Sequence, residues 1–445
     1  MSAVITTVPA PTAVNFPVWS TVATVVAFVV QMVDAVRLQE EGHDVVLAWS
    51  GTDDRRMEDR YALVGRGMVP CRPLTEVFAE REGLRDAYWI WDENHSVEEN
   101  QTLRAEGFKV LGGGRYPDTM EHDRDACLVL VGSHGLHAPP SFAFTDAATA
   151  LTFLEEHAET AYVYKPDTGE TYETWLPQSA GTAEGNLELR QHLRTRTSES
   201  TFVLLELKDG VETNVEVWFT KGEPVFAFMT LESKRKLTGD LGDFTGCAFD
   251  FTFVIPVESK AVQETVGRMY PEYRKMGYTG FGDANFIVAR DGIWFFEKCE
   301  RFGYNSHPNL LWNLNRAPLG ATFASLIDGT FKPDFAPGFG ASITLYMDHA
   351  EPGKAVHYPE TVARNIYPID VYRENGELLT AGYYGEALLL ACAFGYTIPT
   401  AWDAALEVAS AVNFPGRSYR IDGAGTDFRS SPLRRYEALV AMGYL

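Results

Sequence analysis

Short apolar runs alternate with stretches of helical spacing along the first part of the chain. The runs at 45–49, 87–91 and 108–111 are each a few residues long and give way to polar residues or glycine. Between them, residues 74–82, with apolar Leu74, Val77 and Phe78, and residues 97–106 read as helical segments. Strands separated by helices predict a parallel α/β sheet. The segment 17–33 carries no charge and is strongly apolar, but no Lys or Arg precedes it. It therefore lacks the basic flank of a signal or anchor, and an amphipathic stretch closed by Gly42 follows at once. A buried strand and helix are expected there, with no membrane partner. Residues 1–15, rich in Ala, Thr and Pro, read as a loose tail.

From Ala161 the period changes to two. Residues 162–166, 202–207, 215–219 and 224–229 read as strands, and Lys221-Gly222 marks a hairpin between the last two. Helical patterns cover 118–131, 146–157 and 262–276. Strands at 284–290 and 293–298 pair about Asp291-Gly292, and the end of the chain mixes a strand at 342–347 with a helix at 401–412. This divides the chain into an N-terminal α/β domain (16–115), an α+β domain (116–325) and a small mixed C-terminal α/β domain (326–445).

At 445 residues, with 45% hydrophobic and 22% charged, the composition is that of a soluble globular protein. Lys plus Arg is 38 and Asp plus Glu is 61, so the net charge is 38 − 61 = −23. A field of that sign repels phosphate backbones and argues against nucleic acid as a partner. Five widely spaced cysteines without a C-x-x-C point to a reducing, cytoplasmic setting. Gly112-Gly-Gly-Arg115 reads as a flexible strand exit, because Lys and Ser/Thr are not at P-loop spacing. His134 and His137 read as a polar loop, since no third metal ligand lies nearby.

The hairpin about Asp291-Gly292 holds the densest chemistry. A three-residue loop, Arg290-Asp291-Gly292, would pair residue 289 with 293 and set Asn285 opposite Glu297 and Asp283 opposite Cys299. Asp283, Asn285, Glu297, Cys299 and Arg301 then share one face. Acids and an amide so placed suit Mg²⁺ together with substrate phosphates, which Arg301 would grip as a fork. The plainer alternative is a solvated strand end with an ion pair. A two-residue turn would slip the register and send Asp283 to the opposite face. Lys165, ending an apolar strand, either snorkels to solvent or offers its ammonium to a phosphate. Glu206 and Glu212 flank the Lys208-Asp-Gly turn and either accept hydrogen bonds from a nucleoside or are surface charges. Lys234-Arg-Lys236, followed by a glycine-rich stretch to Gly246, reads as a loop closing over polyphosphate or as an exposed turn.

In this order the blocks resemble the ATP-grasp superfamily of ligases, most closely the phosphoribosylamine–glycine ligase (glycinamide ribonucleotide synthetase) family. Leu204-Leu-Glu-Leu-Lys-Asp-Gly-Val-Glu212 is similar to its acid-rich hinge. Lys234-Arg235 with Gly239-Asp240 and Thr245-Gly246 is similar to its His-Lys-Arg…Gly-Asp…Thr-Gly stretch. Glu297-Lys-Cys-Glu-Arg301-Phe-Gly303 is similar to its magnesium strand, and residues 412–423 to its C-terminal block. The resemblance implies two subdomains sandwiching ATP, within an α+β ATP-grasp domain. It implies an ATP- and Mg²⁺-dependent ligase (Mn²⁺ being an alternative ion) that joins a small carboxylate to an amine through an acyl phosphate. It places ATP on Lys165, Glu206, Leu207, Glu212 and Lys236, and metal on Glu297 with Asp283, Asn285 or Cys299. Arg301 and Lys234 take the catalytic roles. Two departures stand out: Cys299 replaces the family's asparagine ligand, and the glycine-rich loop after Lys165 is missing. They favour, as the alternative, a decayed ligase that binds nucleotide or serves as a scaffold.

Overall fold

The computed structural model describes residues 25–27, 32–49, 63–92, 94, 96–166, 174–175, 183–195, 201–382, 387–423 and 431–445. The N-terminal alternation yields five short parallel strands, β1 (Val25–Ala27), β2 (Val45–Trp49), β3 (Cys71–Pro73), β4 (Tyr88–Ile90) and β5 (Lys109–Leu111). Their order is β3-β2-β1-β4-β5, so the winding reverses between β1 and β4. Within and after the apolar stretch, residues 25–27 form β1 and Met32–Glu40 a helix, in which Met32, Ala35 and Leu38 are buried. Among the described residues no helix is long and apolar enough to cross a membrane. The expected loose tail, 1–15, lies outside the described residues. Gly112 leaves β5 at φ 73°, where a Cβ would meet the Trp91 carbonyl oxygen at 2.6 Å, so the glycine run is a strand exit that needs its glycine.

A second, antiparallel sheet holds β6 (Ser141–Phe144), β7 (Tyr162–Pro166) and β8 (Phe202–Glu206) in the order β6-β8-β7. The helices Ala147–Glu156 and Ala183–Thr195 cover it through Leu154, Leu189 and Leu193, which pack on Phe144, Tyr164 and Phe202. The long stretch expected to be helical over 118–131 is two helices, Arg115–His122 and Arg124–Ser133. The break falls at Asp123, whose carboxylate accepts from the Ala126 N–H and starts the second helix. Residues 262–276 divide in the same manner, into a short helix, a 3-10 turn and Tyr270–Met276.

The large sheet contains β9 (Gly210–Thr220), β10 (Glu223–Leu237), β11 (Leu241–Ile255), β12 (Gly280–Ala289), β13 (Gly292–Lys298), β14 (Phe339–Met347), β15 (Ile366–Pro368), β16 (Ala387–Gly395) and β17 (Arg417–Ser418). Its order is β13-β12-β9-β10-β11-β14-β16-β15, with β17 on β14. The chain after residue 326 thus adds strands to the same sheet as β9–β13. Lys221 and Gly222, at φ 51° and 86°, make the two-residue hairpin turn that Lys-Gly announces. The stretch read as a loop over polyphosphate is a hairpin instead: β10 runs through Lys234–Lys236 to Leu237, opposite Leu241. Its tip is pinned from outside. Arg420, fully buried, pairs with Asp240 at 2.7 Å and Asp422 at 2.8 Å, and Asp422 accepts from the Gly239 N–H.

The N-terminal helix is tied to the C-terminal strands by a buried acid. Asp34 accepts from the Tyr367 hydroxyl at 2.6 Å and the Trp312 indole at 3.3 Å. Burial pushes its carboxyl up to about 6 against those two bonds. A carboxyl raised above its ordinary 3.8 contributes fully when protonated and loses that contribution as pH climbs through about 6. Asp34→Asn keeps the accepting oxygen without the charge. In urea unfolding it is expected to exceed the parent in stability by about 1–3 kcal/mol at pH ~8. The advantage should shrink toward pH ~4, and a gain of equal size at both pH values would rule this account out.

Candidate functional site

The site is built on one face of the large sheet. Asn214, Glu216, Asp283, Asn285, Thr230, Glu232 and Glu297 share that face, because Asn214 stands opposite both Asn285 and Thr230, Glu216 opposite Asp283, and Asn285 opposite Glu297. The register was expected to follow from a three-residue loop. The loop has two residues, Arg290 and Asp291, and Ala289 pairs with Gly292. The slip that this causes is cancelled by a β-bulge that leaves Phe296 without a partner on β12. Asn285 therefore still faces Glu297, its amide donating to Glu297 Oε1 at 2.9 Å, and the Cys299 N–H still donates to the Asp283 carbonyl at 3.2 Å.

Lys234 stands at the electrostatic centre. Its Nζ lies 3.6 Å from Glu297 Oε1, 3.6 Å from Glu212 Oε1 and 3.8 Å from Glu232 Oε2. Burial works against its charge, but the three carboxylates outweigh burial and hold the ammonium well above the usual lysine range. Burial likewise works to raise Glu297. Lys234, Lys165, Arg301 and the Asn285 amide together hold it below the ordinary carboxylate value. Lys165 ends β7 with its ammonium 3.9 Å from the centre of the bulged Phe296 ring. Burial pushes it down to about 8, with Glu297 pulling the other way. The three-stranded sheet and the large sheet thus bring Lys165 and Glu297 within electrostatic reach of each other.

Glu206 ends β8 and pairs with Lys208 at 2.6 Å, and Lys208 in turn sits 3.8 Å from the centre of the Trp294 ring. The Leu207 N–H donates to the Ala161 carbonyl at 2.8 Å. Lys236 is not brought in with Lys234; it pairs with Asp348 at 3.1 Å, near the Tyr346 ring. Arg301 donates to Glu121 Oε1 at 2.9 Å and to the Phe302 carbonyl at 3.1 Å. Asp283, 3% exposed, accepts from the Asn214 amide, and burial followed by the neighbouring Glu216 pushes its carboxyl well up. Burial also raises the Cys299 thiol well above its ordinary value, so the sulfur stays protonated. Among the described residues no three His, Cys, Asp or Glu side chains form a group able to hold a metal ion by themselves. The segment 167–173, where the glycine-rich loop is missing from the sequence, lies outside the described residues.

Sequence reasoning missed Asn94, Glu121, Asn214, Glu216 and Glu232. A signal for part of this was present. Asn214-Val-Glu216-Val alternates polar and apolar residues just before Trp218-Phe219, which marks a polar face on the strand. Glu121 and Asn94 carry no such mark.

Lys234→Met removes the cation that lies within 4 Å of all three acids. Because Lys234 is about a quarter exposed, the loss is expected to be ~1–3 kcal/mol at neutral pH, below that of a fully buried pair. Glu297, held low, contributes above its ordinary 4.5 and stops contributing as pH falls through its lowered folded value. The deficit should therefore shrink in acid, and guanidinium melts at two pH values would show it. An identical deficit at both would contradict this electrostatic picture.

No family model and no curated protein matches the sequence. Solved structures do match its fold. Phosphoribosylamine–glycine ligase from Thermotoga maritima superposes with a TM-score of 0.66 at 18% identity, over 90% of this chain and 100% of that one. Biotin carboxylase from Campylobacter jejuni, in complex with β,γ-ATP, gives 0.58 at 11%, over 89% and 93%. The biotin carboxylase domain of 2-oxoglutarate carboxylase from Hydrogenobacter thermophilus, in complex with MgADP, gives 0.57 at 9%, over 89% and 92%. The likeness shows the fold shared by these proteins, the ATP-grasp fold.

Proposed function

We propose that this chain uses its ATP-grasp fold as an ATP- and Mg²⁺-dependent ligase that joins a small carboxylate to an amine. The observation that carries the reading is the approach of Lys165, from the three-stranded sheet, to Lys234 and Glu297 on one face of the large sheet, with Asn285 opposite Glu297. Two neighbouring structures are complexes with an adenine nucleotide. The residues fit Mg²⁺: Glu297 offers carboxylate oxygens, and the Asn285 amide, which donates to Glu297 Oε1, would turn to offer its oxygen beside them, phosphate and water completing the shell. When bound, it supplies charge neutralisation at the phosphoryl oxygens. Lys165 and Lys234 hold the phosphates in line for attack by a carboxylate oxygen, which takes the phosphoryl group as ADP leaves. Arg301 faces the negative charge of the acyl phosphate. The amine nitrogen then bonds to the acyl carbon, phosphate departs, and the amine proton passes to solvent or phosphate. Asp283, bound by Asn214, and Cys299, kept as a thiol, are left out of the metal shell in this reading.

ADP release is expected from some pair in a panel of carboxylates and amines. Glu297→Ala should lower kcat by roughly 10²–10³. Cys299→Asn, which restores an oxygen beside Glu297, should lower the Mg²⁺ concentration needed for half-maximal rate severalfold. Absence of both ATP binding and turnover with every pair would refute the proposal. Cys299 favours a second reading, a nucleotide-binding protein without turnover, and this is distinguished by ATP binding with no ADP formed.

A further inference from the structure

Around Arg301 the protein is rich in hydrogen-bond acceptors and short of donors. Glu121 receives Arg301 Nε on one oxygen at 2.9 Å and Asn94 Nδ2 on the other at 2.7 Å. A carboxylate only accepts, so this second bond fixes which end of the Asn94 amide faces Glu121. The remaining Asn94 Oδ1 is buried without a partner, on a side chain 1% exposed. Asn214 spends its amide N–H on Asp283, and its own Oδ1 is likewise buried and unpartnered. Glu216, fully buried, takes the Trp218 indole N–H on Oε1 at 2.7 Å and leaves Oε2 unmet. Buried acceptors without donors are rare in folded proteins and costly to leave unmet.

Charge points the same way. Arg301 is the common electrostatic neighbour of Glu121 and Glu216, and burial still pushes Glu216 up to about 8, so an added cation there would be bound with release of the Glu216 proton. A positive ligand bearing several N–H donors would meet both deficits, and a primary ammonium carries three. Asn94 follows the carboxyl end of β4, beside the reversal of strand order, where parallel sheets open their ligand crevices.

We propose that Asn94, Glu121 and Glu216, beside Arg301, form the subsite that receives the ammonium of the amine substrate. The inference rests on the ligase reading, and the test separates the two. Methylamine, ethanolamine and glycinamide are titrated calorimetrically into the full-length protein with Mg²⁺ and a non-hydrolysable ATP analogue, with tetramethylammonium as the cation lacking N–H donors. At least one primary amine is expected to bind, and tetramethylammonium at least tenfold more weakly. Asn94→Leu should weaken that amine at least fivefold while changing nucleotide affinity less than twofold. The isosteric Glu216→Gln should do the same and serves as the second variant where Asn94→Leu fails to fold. Absence of binding by all three amines, equal binding of tetramethylammonium, or unchanged amine affinity in a folded variant overturns the subsite. Loss of nucleotide binding by the parent protein counts instead against the ligase, and amine binding that persists without nucleotide supports the subsite alone.

Discussion

An ammonium group set among three carboxylates governs the central sheet. Glu212, Glu232 and Glu297 come from three different strands, and Lys234 from the same strand as Glu232. Without Lys234, neighbouring strands would bring like charges together on a partly buried surface, and cross-strand repulsion would oppose their pairing. With it, the face can remain polar where most of a sheet would be apolar. The opposite face follows the ordinary rule, with Val215, Val217, Phe219, Met229, Leu231 and Phe286 packed into a buried cluster.

The same face depends on a backbone irregularity. The hairpin between β12 and β13 turns one residue too early for Asn285 to meet Glu297, and the bulge at Phe296 restores the alignment. A bulge re-aims side chains and sharpens the local twist. Here it also presents the Phe296 ring to Lys165 from the three-stranded sheet. One irregularity thus sets the Glu297–Asn285 contact and provides the surface on which the second sheet's lysine rests.

Side chains from distant segments hold the remaining parts together. Arg420 clamps the tip of the β10–β11 hairpin, Asp34 joins the first helix to Trp312 and Tyr367, and Glu121 links Asn94 to Arg301. Each joins residues separated by at least 180 positions at one end and uses a charged or polar side chain removed from solvent. Such contacts resist loss strongly, because breaking one leaves a buried polar group without its partner. The β-strands contributed after residue 326 add to this by continuing the central sheet.

Periodicity alone determined much about this protein. Alternation of period two and period three to four separated the parallel N-terminal sheet from the antiparallel remainder, and Lys221-Gly222 marked a hairpin because its glycine takes a left-handed turn position readily. The short blocks around Lys165 and Glu297 also pointed to residues that converge, since each sits on a readable strand, whereas Lys234 lay in a stretch read as a loop or turn and only the structure continues β10 through it. Other features were decided only in three dimensions. Hairpin loop length and the compensating bulge at Phe296 follow from how β13 twists against β12, which local sequence does not encode. The partners of Arg301 arrive from segments with no periodic or charge pattern linking them. Burial, which makes Asn94, Asn214 and Glu216 chemically demanding, belongs to the packed molecule rather than to any stretch of chain.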